Sequence, residues 1–421
     1  MFPGQKEWSS IKTQAVLFFG YLPNHGEIRI PKSIREAARE GQINGSKHEL
    51  VRQGRDCIRQ TFERQLSELP ANTHHVVPLS GGLDSRTILA ALLNHEKINK
   101  SNISTITFGT PGTWDFELSQ EVAKAAGVEN EVIDLTSTDV GWSIDDLVET
   151  AAWAERPVPI LEARINKIPA EKYSKQNTVL WSGFMGDPTV GSHQPSSPCD
   201  NWNCALEHFI DNNKQVNKHD HPITLDPKEV LPSTPFIDRA KLSYEEQLDY
   251  AIRQQKYIKP IVAPSDELYV KPFIDERWLS FWLNIPPSER NDRRLFKKIV
   301  KKEFPNLFSL PTSTNYGLSI SRHPFLGKVN GAISILTRKF CSELKGHRYI
   351  HPNMNYAPFD DLMRDSDRLA PATEELLLEV NNRDGIYIDV ETLWKEHQSG
   401  ENHSNLFSLL LSIESHLRFK E

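Results

Sequence analysis

Apolar residues recur along this chain with two different periods, and between residues 46 and 187 the two take turns. Ser46-Lys47-His48-Glu49 has the spacing of a capping box, and the helix it opens buries Val51, Ile58, Phe62, Leu66 and Leu69 before Pro70 ends it. The run Val76-Val77-Pro78-Leu79 reads as a strand, and Thr87, Ile88, Leu89, Ala90, Leu92 and Leu93 follow at helical spacing. A second strand is predicted at Ile103–Phe108, then a turn at Gly109-Thr110-Pro111-Gly112. A helix runs from Asp115 to Ala126, with Gly127 as its C′ residue. Glu131–Leu135 reads as a third strand. Ser143 and Asp146 open a helix through Ala154, closed at Glu155-Arg156-Pro157, and Thr178–Trp181 forms a fourth strand. That strand ends at Ser182-Gly183-Phe184-Met185-Gly186-Asp187. Alternating strands and helices predict an α/β fold with a parallel sheet, whose ligand sits beyond the strand C-termini. Glycine-bearing strand ends at 80–82, 109 and 183 converge on that edge.

The flanking regions are patterned differently. Residues 1–45 read as a short, partly β segment, carried by Ala15–Tyr21, Gly26 and the Ile28–Ile30 alternation. From about residue 191 to 235 the chain is polar and rich in Pro, Asn and His, and reads as a long insertion or mobile loop. Cys199-x₄-Cys204 with His193 and His208 invites a zinc reading, but the spacing matches neither a ribbon nor a finger, which favours a surface loop. Cys57 lies beside the apolar stripe of its helix and reads as packing. Beyond residue 240 the pattern is mostly helical, ending in a buried helix over Leu406–Leu417. Arg290, Arg293, Arg294, Lys297, Lys298, Lys301 and Lys302 fall on one predicted helix with Phe296, Ile299 and Val300. A solvated face accounts for them; the same cluster could draw in an anion or set one cation against a phosphate.

Composition narrows the function classes. With 421 residues, 38% hydrophobic and 25% charged, the chain has ample core for a globular protein of two or three domains. A net charge of −7 argues against a nucleic-acid partner. No apolar run reaches membrane-spanning length, and residues 1–20 lack the features of a signal peptide. Four cysteines in so long a chain make no disulfide framework, so a cytoplasmic setting is expected, with no membrane partner.

The chemistry centres on Leu79-Ser80-Gly81-Gly82-Leu83-Asp84-Ser85, between a strand and a helix. Two glycines permit a tight turn and expose backbone N–H groups, and the helix N-terminus aims further unpaired N–H groups at the same point. Ser80 and Ser85 add hydroxyls, and Asp84 adds a carboxylate able to hold Mg²⁺. Such a turn cradles phosphate. No Gly-Lys-[Ser/Thr] follows, so it is not the Walker pattern.

The turn resembles the pyrophosphate loop of ATP pyrophosphatases, which cleave ATP to AMP and pyrophosphate. Further stretches extend the likeness: Thr107-Phe108-Gly109 with Asp115, Ser182-Gly183-x-x-Gly186-Asp187, Lys271-Pro272-Phe273-Ile274-Asp275, and Leu295–Pro305 leading to Gly317. In this order, over residues 47–421, they resemble the synthetase domain of the asparagine synthetase superfamily, most of all its stand-alone members associated with surface polysaccharide. The resemblance implies an adenine nucleotide α-hydrolase-like (PP-loop) sheet with a mostly helical C-terminal part, in a domain over 46–421. It implies ATP and Mg²⁺, with Leu79 and Phe108 flanking adenine and ribose, Ser182 and Gly183 closing over the nucleotide, and Asp84 and Asp187 binding the metal. The residue reading of Asp187 alone is a helix N-cap before Pro188.

Phe19-Gly20-Tyr21-Leu22-Pro23 resembles the end of the family's glutaminase domain, which makes 1–45 a remnant. The cysteine nucleophile of that domain has Phe2 in its place, so ammonia would be free, come from a separate protein or be replaced by an amine. Two second-step residues of the family also differ. Phe184 stands where its Ser-Gly-Glu-Gly acid would be, and Thr312-Ser313-Thr314-Asn315-Tyr316-Gly317 carries no lysine. Glu155, Glu162, Arg86 and Tyr316 are candidate substitutes, each with an ordinary structural reading, and the catalytic residues stay unassigned. The implied activity is adenylation of a small-molecule carboxylate followed by amide formation. The alternative is a nucleotide-binding partner that no longer turns over.

Overall fold

The computed structural model describes residues 8–38, 42–174, 177–195, 197–215, 222–265, 267–346, 348–383 and 386–420. Five strands, β1 (His74–Pro78), β2 (Ile103–Gly109), β3 (Glu129–Asp134), β4 (Thr178–Trp181) and β5 (Tyr269–Val270), form one sheet in the order β3-β2-β1-β4-β5. Every pairing is parallel, with Val77 opposite Thr105 and Val76 opposite Leu180. The fold is α/β, as the alternating periods predict. Val76, Val77, Ile106, Leu180 and Trp181 are inaccessible to solvent, as expected of a sheet covered on both faces. Helices Asp84–Leu93, Trp114–Ala126, Ile144–Ala154 and Ile160–Tyr173 make the crossovers. Strand order reverses between β1 and β4, and at such a reversal the loops leaving the two strands diverge and open a crevice. The loops there are 79–85 and 182–187.

The helix Lys47–Ser67 packs against Glu276–Trp282 and Arg294–Glu303. The approach is close at Gly54, where a Cβ would lie 2.1 Å from Ile299 Cδ1. The C-terminal half is helical, and Ser404–Lys420 threads its core with Phe407, Leu410, Leu411 and Ile413 fully buried. Among the described residues no helix is long and apolar enough to cross a membrane.

Three expectations change. Ser10–Phe19 is a helix, not a strand: Ser9 caps it, Gly20 ends it at φ +82°, and Ala15–Phe19 are all buried. A short unbroken apolar run cannot distinguish a buried helix from a strand by periodicity.

Residues 191–235 are not one loop. They contain the helix Trp202–Asn213, whose Trp202, Ala205, Leu206 and Phe209 enter the core, while 196 and 216–221 lie outside the described residues. Cys199, itself buried, is bonded to Cys204 in a disulfide across the start of that helix, so these sulfurs hold each other. This local pair is the one disulfide among the described residues, and Cys57 and Cys341 are free.

The basic run is broken. Arg290 ends the turn Pro287–Arg290, Asp292 and Arg293 take left-handed φ of +55° and +59°, and the helix begins at Arg294.

Candidate active site

The crevice beyond β1 and β4 is a cleft of about 470 Å³. Its walls include Leu79, Ser80, Asp84, Ser85, Phe108, Ser182, Gly183 and Asp187, so the fold assembles most of the residues singled out in the sequence. Gly81, Gly82 and Leu83 do not line it. Leu83 is buried in the core. Neither glycine has positive φ. Gly81 is required by close approach: a Cβ there would lie 3.0 Å from Asp115 Oδ1 and 3.1 Å from the Trp114 carbonyl oxygen. Its N–H donates to Asp115 Oδ1 (3.1 Å), and that of Gly82 donates to Ser80 Oγ (3.3 Å). Ser85 Oγ accepts from the Ser80 N–H at 3.1 Å, so these three backbone donors are taken within the protein rather than exposed as the two glycines led one to expect.

Asp84 and Asp187 meet at the base of the cleft. The Asp187 N–H donates to Asp84 Oδ2 at 2.8 Å, while Asp84 Oδ1 is buried with no hydrogen-bond partner. Gly186 permits this contact, because a Cβ there would sit 2.5 Å from the Asp84 carboxyl carbon. Burial and the nearby Asp187 charge push the Asp84 carboxyl well above its usual range, against the opposing Arg293. An orphaned carboxylate oxygen with a second carboxylate beside it fits a hard divalent cation. Met185, just before Gly186, holds a left-handed φ of +68°, a cost more often met at functional turns than elsewhere.

The far wall comes from the C-terminal half, and sequence reasoning passed over most of it. Arg293 Nη1 donates to Asp187 Oδ1 at 2.6 Å, so one member of the basic run faces the site rather than solvent. Arg253, Gln254 and Ile258 project from the wide π-helical stretch Asp249–Ile258, a geometry enriched at functional sites. Met354, Asn355 and Tyr356 close one end. The Tyr356 ring stacks on Phe108 (6.3 Å between centroids, 19° between planes), and its hydroxyl accepts from Asn166 Nδ2 at 3.0 Å. No periodicity marks residues 354–356; the charge run was the one visible signal for Arg293.

The proposed substitutes separate clearly. Glu162 lines the cleft, as does Phe184. Arg86 is fully buried and donates to the carbonyls of Leu307 and Pro311, which makes it structural. Glu155 is the C-cap of Ile144–Ala154 and Tyr316 packs edge-on to Trp114, neither in the cleft.

Residues 30–216 match the family model of asparagine synthase. That segment spans the sheet through β4, the 79–85 turn and the 182–187 loop. That segment, rather less than half of the chain, is similar to the asparagine synthase superfamily. Asparagine synthases are ATP-dependent ligases that form amide bonds, so the match supports ATP binding and ligase chemistry on small molecules. The match ends before β5, Arg253, Arg293 and Tyr356, which therefore rest on the geometry alone. No curated protein matches the chain.

Proposed function

We propose that this asparagine synthase-like chain activates a small-molecule carboxylate with ATP, releasing pyrophosphate, and transfers the acyl group to ammonia or an amine. The observation that carries the reading is the pairing of Asp84, with its unpartnered Oδ1, and Asp187 at the strand-order reversal. In this reading 46–421 is the synthetase domain and 1–45 the remnant of a glutaminase domain. Leu79 and Phe108 flank the adenosine, Ser182 and Gly183 close over it, and the 80–85 turn holds the pyrophosphate. Asp84 and Asp187 would hold Mg²⁺, which when bound neutralises charge on the departing pyrophosphate. Arg293 fixes Asp187 and adds a cation at the same end. The cleft positions carboxylate and α-phosphate for in-line attack, so the first step needs placement and charge rather than a protein nucleophile.

A second reading, nucleotide binding without turnover, is favoured by Phe184 in place of an acid and by the lysine-free turn 312–317. Exchange of labelled pyrophosphate into ATP, screened with amino acids, sugar acids and peptides as carboxylates and no amine, separates them. Carboxylate-dependent exchange is expected. Tight ATP binding without exchange across the screen would move the assignment to the non-catalytic reading.

A further inference from the structure

A second cavity, of about 380 Å³, adjoins the nucleotide cleft, and His193 and Arg253 line both. His193 follows Asp187 by six residues on the same β4 loop, and the Ser192 N–H donates to the Asp187 carbonyl at 3.1 Å. His193 Nδ1 lies 2.9 Å from Asp249 Oδ2. The Asp249 carboxylate is held from its other side by Gln254 Nε2 at 3.1 Å. These two residues stand five apart in a π-helical stretch, where the backbone bonds i to i+5 and brings such side chains together. With the Nδ1 proton donated to Asp249, Nε2 of His193 is left as an acceptor, the arrangement that prepares an imidazole for general-base work. The His193 side chain keeps 36% of its surface accessible, so the ring can be reached. The side pocket is polar, and Glu245 there has a buried Oε2 with no hydrogen-bond partner, able to accept from an amine N–H.

We propose that the side pocket admits the acceptor amine and that the His193–Asp249 pair removes its proton during amide formation. This rests on the adenylating reading above. The family's second-step positions hold Phe184 and a lysine-free turn, and here the base comes from the β4 loop instead. The amine, having shed its extra proton to solvent on entry, attacks the acyl carbon through its neutral nitrogen and forms the C–N bond. The C–O bond to the α-phosphate breaks, and AMP leaves with that electron pair. The proton lost by nitrogen passes to His193 Nε2 and then to solvent. Asp249 is a positioning residue, holding the ring and stabilising the imidazolium. The charged groups around the ring are Asp249 and Arg253 on the helix, Asp187 on its own loop, and Glu245 and His208 across the pocket.

The test uses the carboxylate that supports pyrophosphate exchange in the wild type, with ammonium as acceptor and hydroxylamine as trap. Hydroxylamine is largely unprotonated at neutral pH and needs no base to attack. H193Q is expected to keep exchange and hydroxamate formation within about 2-fold while ammonium-dependent amide formation falls by roughly 10²–10⁴-fold, the usual range for a general base. D249N should lose less, and the acid limb of the wild-type amide-forming pH profile should vanish in H193Q. Equal loss of exchange, hydroxamate and amide in H193Q would overturn the proposal in favour of a structural role. Unchanged amide formation would overturn it while leaving adenylation intact. Absence of exchange in the wild type would overturn both readings.

Discussion

The two walls of the nucleotide cleft are built on different principles. The wall from β1 and β4 is local: each strand ends in a glycine-bearing loop of six or seven residues, and the ligand-facing groups lie on those loops. The wall from residues 249–258 and 354–356, with Arg293 joined to the cleft only through Asp187, is assembled from three distant segments, none of them a strand end. The first wall presents carboxylates and hydroxyls. The second brings the cations Arg253 and Arg293, the aromatic face of Tyr356 and the Asp249 partner of His193. In the proposed reaction the local wall serves the phosphates, and the assembled wall restrains the metal-binding carboxylate and receives the acceptor. The local wall, His193 included, lies within the residues that match the family model, and the assembled wall lies outside them.

The sharpest way to break this comparison is at Asp84. D84N keeps the shape of the loop but removes the charge of the proposed metal pair. We expect carboxylate-dependent pyrophosphate exchange to fall by roughly 10²–10³-fold, the scale of losing one charge-stabilising group. Calorimetry should show the magnesium dependence of ATP binding lost, with thermal stability kept, since burial already raises the Asp84 pKa. Unchanged affinity for ATP-Mg²⁺ would sink the metal role.

G186A tests whether the local wall works through close approach. The residue lacks positive φ, so alanine brings no backbone strain, but its methyl would collide with the Asp84 carboxyl. Displacing a carboxylate by about 1 Å is enough to cost on the order of 10²-fold. Exchange at the wild-type rate in G186A would show that the Asp84 position is not critical.

Much of the local wall was legible because its signals are short-range. A strand followed by Ser-Gly-Gly-x-Asp-Ser and a helix specifies turn, hydroxyls and carboxylate within a dozen residues. The assembled wall was not, for physical reasons visible in particular residues. Arg293 sits in a run of seven cations, and nothing in its neighbours distinguishes it from Lys298 on the exposed face. Its left-handed φ, which turns it toward Asp187, follows from a break between two helices that the sequence reads as one. His193 and Asp249 are 56 residues apart. The N-terminal helix Ser10–Phe19 was misread for a related cause: burial on all sides erases the period that separates helix from strand. The exposed apolar stripe of Pro324–Lys345, with Ile333, Leu336 and Phe340 more than half accessible, shows the converse, because helical spacing there marks no buried face.

R293Q probes the coupling between the walls. Its guanidinium is 2.6 Å from Asp187, and a charge-assisted hydrogen bond contributes about 1.5–3 kcal/mol, so exchange should drop by roughly 10-fold or somewhat more. The loss should appear mainly at low Mg²⁺ and be partly recovered as Mg²⁺ is raised, because the ion can then hold Asp187 without help. R294Q, at the exposed neighbour, serves as the control and should leave exchange unchanged. Equal losses in both variants would return the whole run to general electrostatic attraction, and the assembled wall would have no specific cation.

The smallest effect is expected at Tyr356, and it separates the two things that residue does. Its ring stacks on Phe108, and its hydroxyl accepts a hydrogen bond from Asn166, whose amide also donates to the Glu162 carbonyl at 2.8 Å. Y356F removes the hydroxyl alone. Asn166 keeps its second partner, so the loss is limited to one neutral hydrogen bond, and the KM for ATP should rise by about 2–3-fold with kcat unchanged. Y356A removes the ring as well, and if Phe108 flanks the nucleotide the KM should rise further while kcat still holds. A Y356A enzyme with wild-type KM would mean that the aromatic pair closes the cleft without touching ATP. A fall in kcat in Y356F would point the other way, to Asn166 and Glu162 as the groups that Tyr356 positions for the carboxylate.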